Sequence, residues 1–179
     1  MRKLHFEEIK ASRPSVEEIE REGRFPVSVV AENIRSLFNV GSIFRTSDGA
    51  RIERLYLTGF TGQPPRNEIA KTALGAEQSV PWEHHRNTRE LLRKLKAEGR
   101  QIVVLEHTDQ SRNFKSIPFD FPLVLVIGNE VEGVTEEAVQ IADQAIEIPM
   151  FGIKQSLNVS VAYGIAVYEI ILQYLTRSR

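Results

Sequence analysis

Leu123-Val124-Leu125-Val126-Ile127 is the stretch of this sequence that leaves a fold the least freedom. Five apolar residues in a row, with no polar one to meet water, make a strand only if both of its faces are covered. Gly128-Asn129-Glu130 and, three residues on, Gly133 end the run in a tight, exposed loop. Further candidate strands, shorter or carrying one polar residue, lie at Val27–Ala31, Arg54–Leu57, Ile102–Leu105 and Ala145–Ile148. Between them, helical periodicity covers Gly41–Ala50, Asn67–Leu74, Thr88–Glu98 and Thr135–Ala142, and a long helix is predicted from Ser156 to Thr176. Strands that alternate with helices predict an α/β fold, a mostly parallel sheet with helices on both faces. The chain has 179 residues and no internal repeat, linker or break in composition. Residues 26–179 are therefore expected to form one domain, preceded by a charged extension, 1–25, with a short helix around Ser15–Arg21.

Composition works here by exclusion. Lys and Arg total 23 against 24 for Asp and Glu, a net charge of −1, so any nucleic-acid site has to be a local basic patch. Arg86, Arg89, Arg93, Lys94, Lys96 and Arg100 form either such a patch or a solvated helix face. No cysteine is present, which removes disulfide and thiolate chemistry and makes a reducing cytoplasm the expected compartment. The opening MRKLHFEEIK has no signal-peptide core, and no stretch approaches the roughly 18 uninterrupted apolar residues of a membrane helix, so no membrane partner is expected. His84 and His85 are adjacent, poor spacing for chelation from one face, and no metal site is expected. Glycine fingerprints for dinucleotides and P-loop nucleotides are lacking, and Ser156 is not in a G-x-S-x-G elbow.

Three constellations remain. The first, Asn39-x-Gly41-x-x-x-Arg45, follows the strand at Val27–Ala31; Asn39 is placed to cap a helix, Gly41 to admit another backbone, and Arg45 lies one turn on. Open α/β sheets bind ligands at that end of a strand. The second is Gly128-Asn129-Glu130-x-x-Gly133. The third runs from Ile148-Pro149-Met150 to Ser156-Leu157-Asn158-Val159-Ser160, with Ser156 placed to cap the last helix and small residues, Ser160, Gly164 and Ala166, keeping that helix thin. Taken singly, each is also what an ordinary capped helix start, a strand-to-helix turn or a packing stripe requires.

Together and in this order, the three resemble the sequence motifs of the SpoU/TrmH family of RNA 2′-O-ribose methyltransferases, over about residues 26–176. The resemblance implies a knotted fold, with a deep C-terminal trefoil knot over about 121–179, and a homodimer with its active sites at the subunit interface. It is the short form, without an added RNA-binding domain. It implies S-adenosylmethionine as methyl donor, S-adenosylhomocysteine as product, no metal, and the ribose 2′-hydroxyl of a tRNA or rRNA as acceptor. Carried over by motif position, Leu105, Gly128, Asn129, Ile148, Met150 and Leu157 bind the donor. Arg45, Asn39, Glu130, Ser156 and Asn158 serve catalysis: Arg45 holds phosphate and stabilises oxyanion charge, Asn39 orients Arg45 or the ribose, Glu130 fixes the second-motif loop, and Ser156 and Asn158 hold their loop and hydrogen-bond the substrate. The alternatives are a non-catalytic RNA-binding module of the same fold and a small-molecule methyltransferase.

Overall fold

The computed structural model describes residues 1–177; residues 178–179, with which the expected domain and knot region end, lie outside the described residues. The apolar run becomes β6, Leu123–Ile127, the middle strand of a seven-stranded sheet ordered β3-β2-β1-β6-β4-β7-β5. Its flanking strands are β1 (Phe25–Glu32) and β4 (Gln101–Leu105), in register at Val29↔Leu125 and Val103↔Leu125. Beyond them lie β2 (Ile52–Thr58), β3 (Trp82–His85), β7 (Gln144–Glu147) and β5 (Arg112–Asn113), and every pairing is parallel.

Alternation then sorts the five residues of β6 between two cores. Leu123, Leu125 and Ile127 join Phe44, Ile69, Tyr163 and Ile170, from α3 (Leu37–Gly49), α4 (Asn67–Ala73) and α8 (Val159–Arg177). Val124 and Val126 face Leu91, Leu92 and Leu95 of α6 (Thr88–Ala97) and Ala138 of α7 (Glu136–Ile141). Burying each such side chain is worth about 1.5–3 kcal/mol, so β6 secures both layers at once. The remaining helices, α1 (Phe6–Ala11), α2 (Val16–Glu22) and α5 (Ala76–Ser79), are short, and α1 and α2 bury no residue.

Four expectations need correction. β3 was not foreseen because Trp-Glu-His-His lies at the sheet edge, half exposed, with no apolar alternation; β5 is two exposed residues. α3 begins at Leu37, a turn before Gly41, because Ser36, not Asn39, caps it: Ser36 Oγ accepts from Asn39 N at 3.3 Å. α8 begins at Val159, since Asn158 Oδ1 accepts from Ser160 N at 3.0 Å, and Ser156 stays in the preceding loop. Finally, α8 is long and apolar enough to cross a membrane by length and composition, with mean hydropathy 1.4. In this fold one face of α8, Tyr163, Ala166, Val167, Ile170 and Ile171, is buried, with Tyr163 Oη 2.8 Å from Ser47 Oγ of α3. Burial pushes the Tyr163 phenol far up, so it stays neutral. Its other face leaves Val161, Ile165, Tyr168, Leu172 and Leu175 exposed.

Candidate active site

In an all-parallel sheet the C-terminal ends of the strands share one edge, where the crossing loops form a crevice. Here the loops after β4, β6 and β7 enclose a cleft of about 280 Å³. All six residues expected to hold a methyl donor line it: Leu105, Gly128, Asn129, Ile148, Met150 and Leu157. Glu130, Ser156 and Asn158 line it as well; Asn39 and Arg45 do not.

The second constellation makes the cleft's floor. The loop closes on itself through Asn129 N to Gly133 O at 2.9 Å and the return bond at 3.0 Å. A Cβ at Gly128 would lie 2.2 Å from the Gly133 carbonyl carbon, so only glycine admits this closure. Asn129 is buried and fully employed. Its Oδ1 accepts from Val131 N and Glu132 N at 2.8 and 3.0 Å, and its Nδ2 donates to Asn33 O at 2.8 Å.

Glu130, expected to fix the second-motif loop, reaches back to the first constellation. Oε2 accepts from Arg35 N at 2.9 Å, and Oε1 accepts from Ser36 N at 3.1 Å and Asn39 Nδ2 at 2.7 Å. A carboxylate thus sits at the positive N-terminus of α3. Burial alone would raise the Glu130 pKa, but the hydrogen bonds from Arg35, Asn39 and Ser36 outweigh it and hold the carboxyl below its ordinary value. Asn39 in turn accepts from Asn158 Nδ2 at 3.1 Å. The three constellations, up to 119 residues apart, are joined side chain to side chain through Glu130, Asn39 and Asn158.

Gly41 plays the part its sequence position suggests. A Cβ there would stand 2.3 Å from Ile69 O, so α4 lies directly on α3. Arg45, on the exposed side of α3, has no hydrogen-bond or ion-pair partner among the described residues. Its guanidinium is therefore free to meet a ligand, and Arg45 is not among the residues that line the cleft of its own chain.

Sequence reasoning missed the acids of the cleft. Glu106 accepts from Val134 N and His107 N, both at 2.8 Å, and so fixes the far side of the second-motif loop. Glu147 accepts from Ser111 Oγ at 2.5 Å; that bond, with a second from His107, holds its carboxyl below the usual range. With Glu130 and Glu132 they make the lining acidic around apolar walls. Glu106 was recoverable, since it directly follows a predicted strand on the ligand-binding edge. Among the described residues no group of three or more His, Asp or Glu side chains is arranged to hold a metal ion.

The profile of the SpoU rRNA Methylase family matches residues 26–168. The tRNA (guanosine(18)-2′-O)-methyltransferase of Aquifex aeolicus is 40% identical over 141 residues, 79% of this chain and 66% of that protein. The Thermus thermophilus enzyme of the same name is 32% identical over 163 residues, 91% and 83% of the two chains; for the Escherichia coli one the figures are 34%, 80% and 62%. The chain thus spans slightly under two thirds of two of these relatives. Among solved structures, the A. aeolicus TrmH/SpoU tRNA modifying enzyme superposes with a TM-score of 0.79 at 37% identity, over 87% of this chain and 79% of that one. An AdoMet-bound rRNA methyltransferase from Sinorhizobium meliloti gives 0.78 at 30% identity, covering 86% and 58%.

Proposed function

The chain belongs to the SpoU rRNA Methylase family, and from that premise we propose that it transfers a methyl group from S-adenosylmethionine to a ribose 2′-hydroxyl of tRNA or rRNA in the cytoplasm. The observation that carries the reading is the joining of all three motifs at one acidic, apolar-walled cleft.

The cleft residues fit the donor. Leu105, Ile148, Met150 and Leu157 offer apolar surface for a purine, backbone groups around Gly128 offer edge contacts, and the carboxylates suit a cationic sulfonium. When bound, the donor supplies an activated methyl group on sulfur. That chemistry would be a displacement in which the ribose oxygen would take the methyl carbon as the carbon–sulfur bond breaks, its proton passing to water or phosphate. S-adenosylhomocysteine and the 2′-O-methyl ribose are the products. Arg45 binds the neighbouring phosphate and stabilises charge developing on the oxygen; a guanidinium remains protonated, so it serves as donor rather than base. Asn39, fixed by Glu130, and Asn158, fixed by Asn39, orient the ribose, and Ser156 on the same rim donates to it.

The same reading takes 26–179 as the methyltransferase domain, knotted over about 121–179; its support is that the 149–158 loop lies across the cleft from the loop after β6. It also takes the enzyme as a homodimer. Val161, Ile165, Tyr168, Leu172 and Leu175 recur at alternating spacings of four and three, a helix-pairing seam left open in one chain. Phe151 and Ile153, in the loop between the cleft residues Met150 and Ser156, are 97% and 96% exposed and would be covered with it. Ala166, one of the small residues that keep α8 thin, and its neighbours Val167 and Ile171 belong instead to the chain's own core. Arg45, exposed on α3 and absent from its own chain's cleft lining, would act on the partner's cleft.

The test is donor binding by calorimetry, followed by mass-spectrometric mapping of 2′-O-methyl sites in RNA from cells with and without the gene. Donor binding and a site that disappears with the gene are expected. Absence of donor binding would revive a non-catalytic module, and methylation of free nucleosides a small-molecule enzyme.

A further inference from the structure

Phe60, directly after β2, is 63% exposed on the edge of the sheet that carries the cleft. A single exposed aromatic is unremarkable by itself. What distinguishes Phe60 is how much of the structure is spent on presenting it. Asn33, just after β1, is left-handed at φ 54°, a conformation asparagine adopts but most residues avoid. Its Oδ1 accepts from Phe60 N at 3.2 Å. Gly59 has φ 65°, and a Cβ there would lie 1.9 Å from that same Oδ1. Gly59 N donates to His85 O at 3.1 Å, tying the turn to the end of β3. Thr61, buried behind it, donates to Ala31 O and accepts from Ile34 N, both at 2.9 Å. Asn33 O receives the Asn129 side chain at 2.8 Å, so Phe60 is two hydrogen bonds from the cleft floor.

The surroundings are cationic. Arg35, two residues past Asn33, Arg66 at the end of the Phe60 loop, and Arg86 and Arg89 past His85 are exposed. None of the four side chains has a hydrogen-bond or ion-pair partner among the described residues. Of the acids alongside, Glu83 is engaged by Arg54 and His85 and Glu130 by the α3 N-terminus, while Glu68 and Glu90 are unpaired among the described residues. A rigid aromatic face between free guanidinium groups fits an unstacked nucleobase with phosphates on either side.

We propose that Phe60 is a base-stacking platform that holds a nucleotide of the substrate RNA beside the methylated ribose, with Arg35, Arg66 and Arg86 on its phosphates. This rests on the function proposed above and extends it to a subsite of this chain's own making. Asn33 is the positioning residue that sets the platform against the cleft.

The probe is fluorescein-labelled bulk tRNA from cells lacking the gene, in direct binding and methylation assays, with wild type, Phe60→Ala, Phe60→Leu and Phe60→Trp. Stacking predicts about tenfold weaker RNA binding for the alanine and leucine variants and near-wild-type binding for tryptophan. Donor affinity and melting temperature stay as in wild type. The slope of log affinity against log salt stays unchanged in Phe60→Ala, whereas Arg66→Ala and Arg86→Ala each lower it by about one. If wild type methylates tRNA and Phe60→Ala binds it equally well, the platform is refuted and the enzyme reading stands. If Phe60→Leu binds like wild type, the contact is merely apolar and the stacking claim fails. If wild type neither binds the donor nor methylates RNA, the underlying function fails instead.

Discussion

Replacing Glu130 by glutamine isolates the charge that ties the first two motifs together. The carboxylate serves three donors, with Oε1 on Ser36 N and Asn39 Nδ2 and Oε2 on Arg35 N. A glutamine turns one oxygen to that pair and leaves an NH₂ facing the Arg35 amide, donor against donor. A hydrogen bond to a charged group is worth about 1.5–3 kcal/mol, and stranding its partner costs a similar amount where water is excluded. Glu130 is only partly buried, so water recovers a share of this, and a net loss of about 2 kcal/mol is expected. For a domain of this size that is about 4–8 °C in melting temperature. The pH dependence has a definite sign. The folded carboxyl lies below its unfolded value, so its contribution is whole above about pH 4.3 and is lost as pH falls through the folded value. The gap between wild type and Glu130→Gln, measured by thermal melts, is therefore widest near neutrality and closes in acid. A gap absent near neutrality, or one that persists unchanged in acid, would refute the reasoning.

Arg45→Lys is expected to lose nearly as much turnover as Arg45→Ala, about a hundredfold to a thousandfold, because an ammonium lacks the planar fork; single-turnover methylation measures it, with donor affinity unchanged. Leu157→Asp and Ile148→Asp place a charge beside the apolar wall and should weaken donor binding by more than about 1 kcal/mol in calorimetry; unchanged affinity in both would remove that wall from the site. Ile165→Lys with Leu172→Lys should yield a monomer by light scattering and abolish activity, and an active wild-type monomer would sink the interface assignment.

The layered parallel sheet was legible because β6 carries no polar residue and has to be central. Helix starts were less so: Ser36 and Asn39 are both good caps, and only the tertiary bond from Asn39 to Glu130 frees Ser36 to do the capping. Edge strand β3 was hidden because half-exposed Glu83 and His85 answer to each other rather than to a core. The cleft's apolar residues were found by motif position, but Glu106 and Glu147 act through backbone amides and hydroxyls of other loops, pairings that no local pattern encodes. Arg45 lay in a motif, yet that it stays exposed and unpaired on α3 depends on which faces of the helix the rest of the fold covers, which no local pattern encodes.

The insertion of β6 between β1 and β4 also orders events in time. Until residues 123–127 exist, β1 has one unsatisfied edge, and β4, made before β6, has nothing to join it to β1. About 90 residues separate the end of β1 from the start of β6, so at about 5–20 residues per second the ribosome leaves that hydrophobic edge open for roughly 5–20 s. Contacts this distant in sequence make for slow folding, and an open parallel edge invites pairing with a neighbouring chain. The link from Glu130 to the start of α3, which needs the loops after β1 and β6 side by side, is thus among the last things a nascent chain acquires. Fragments ending before β6 are expected to aggregate and to have no affinity for the methyl donor.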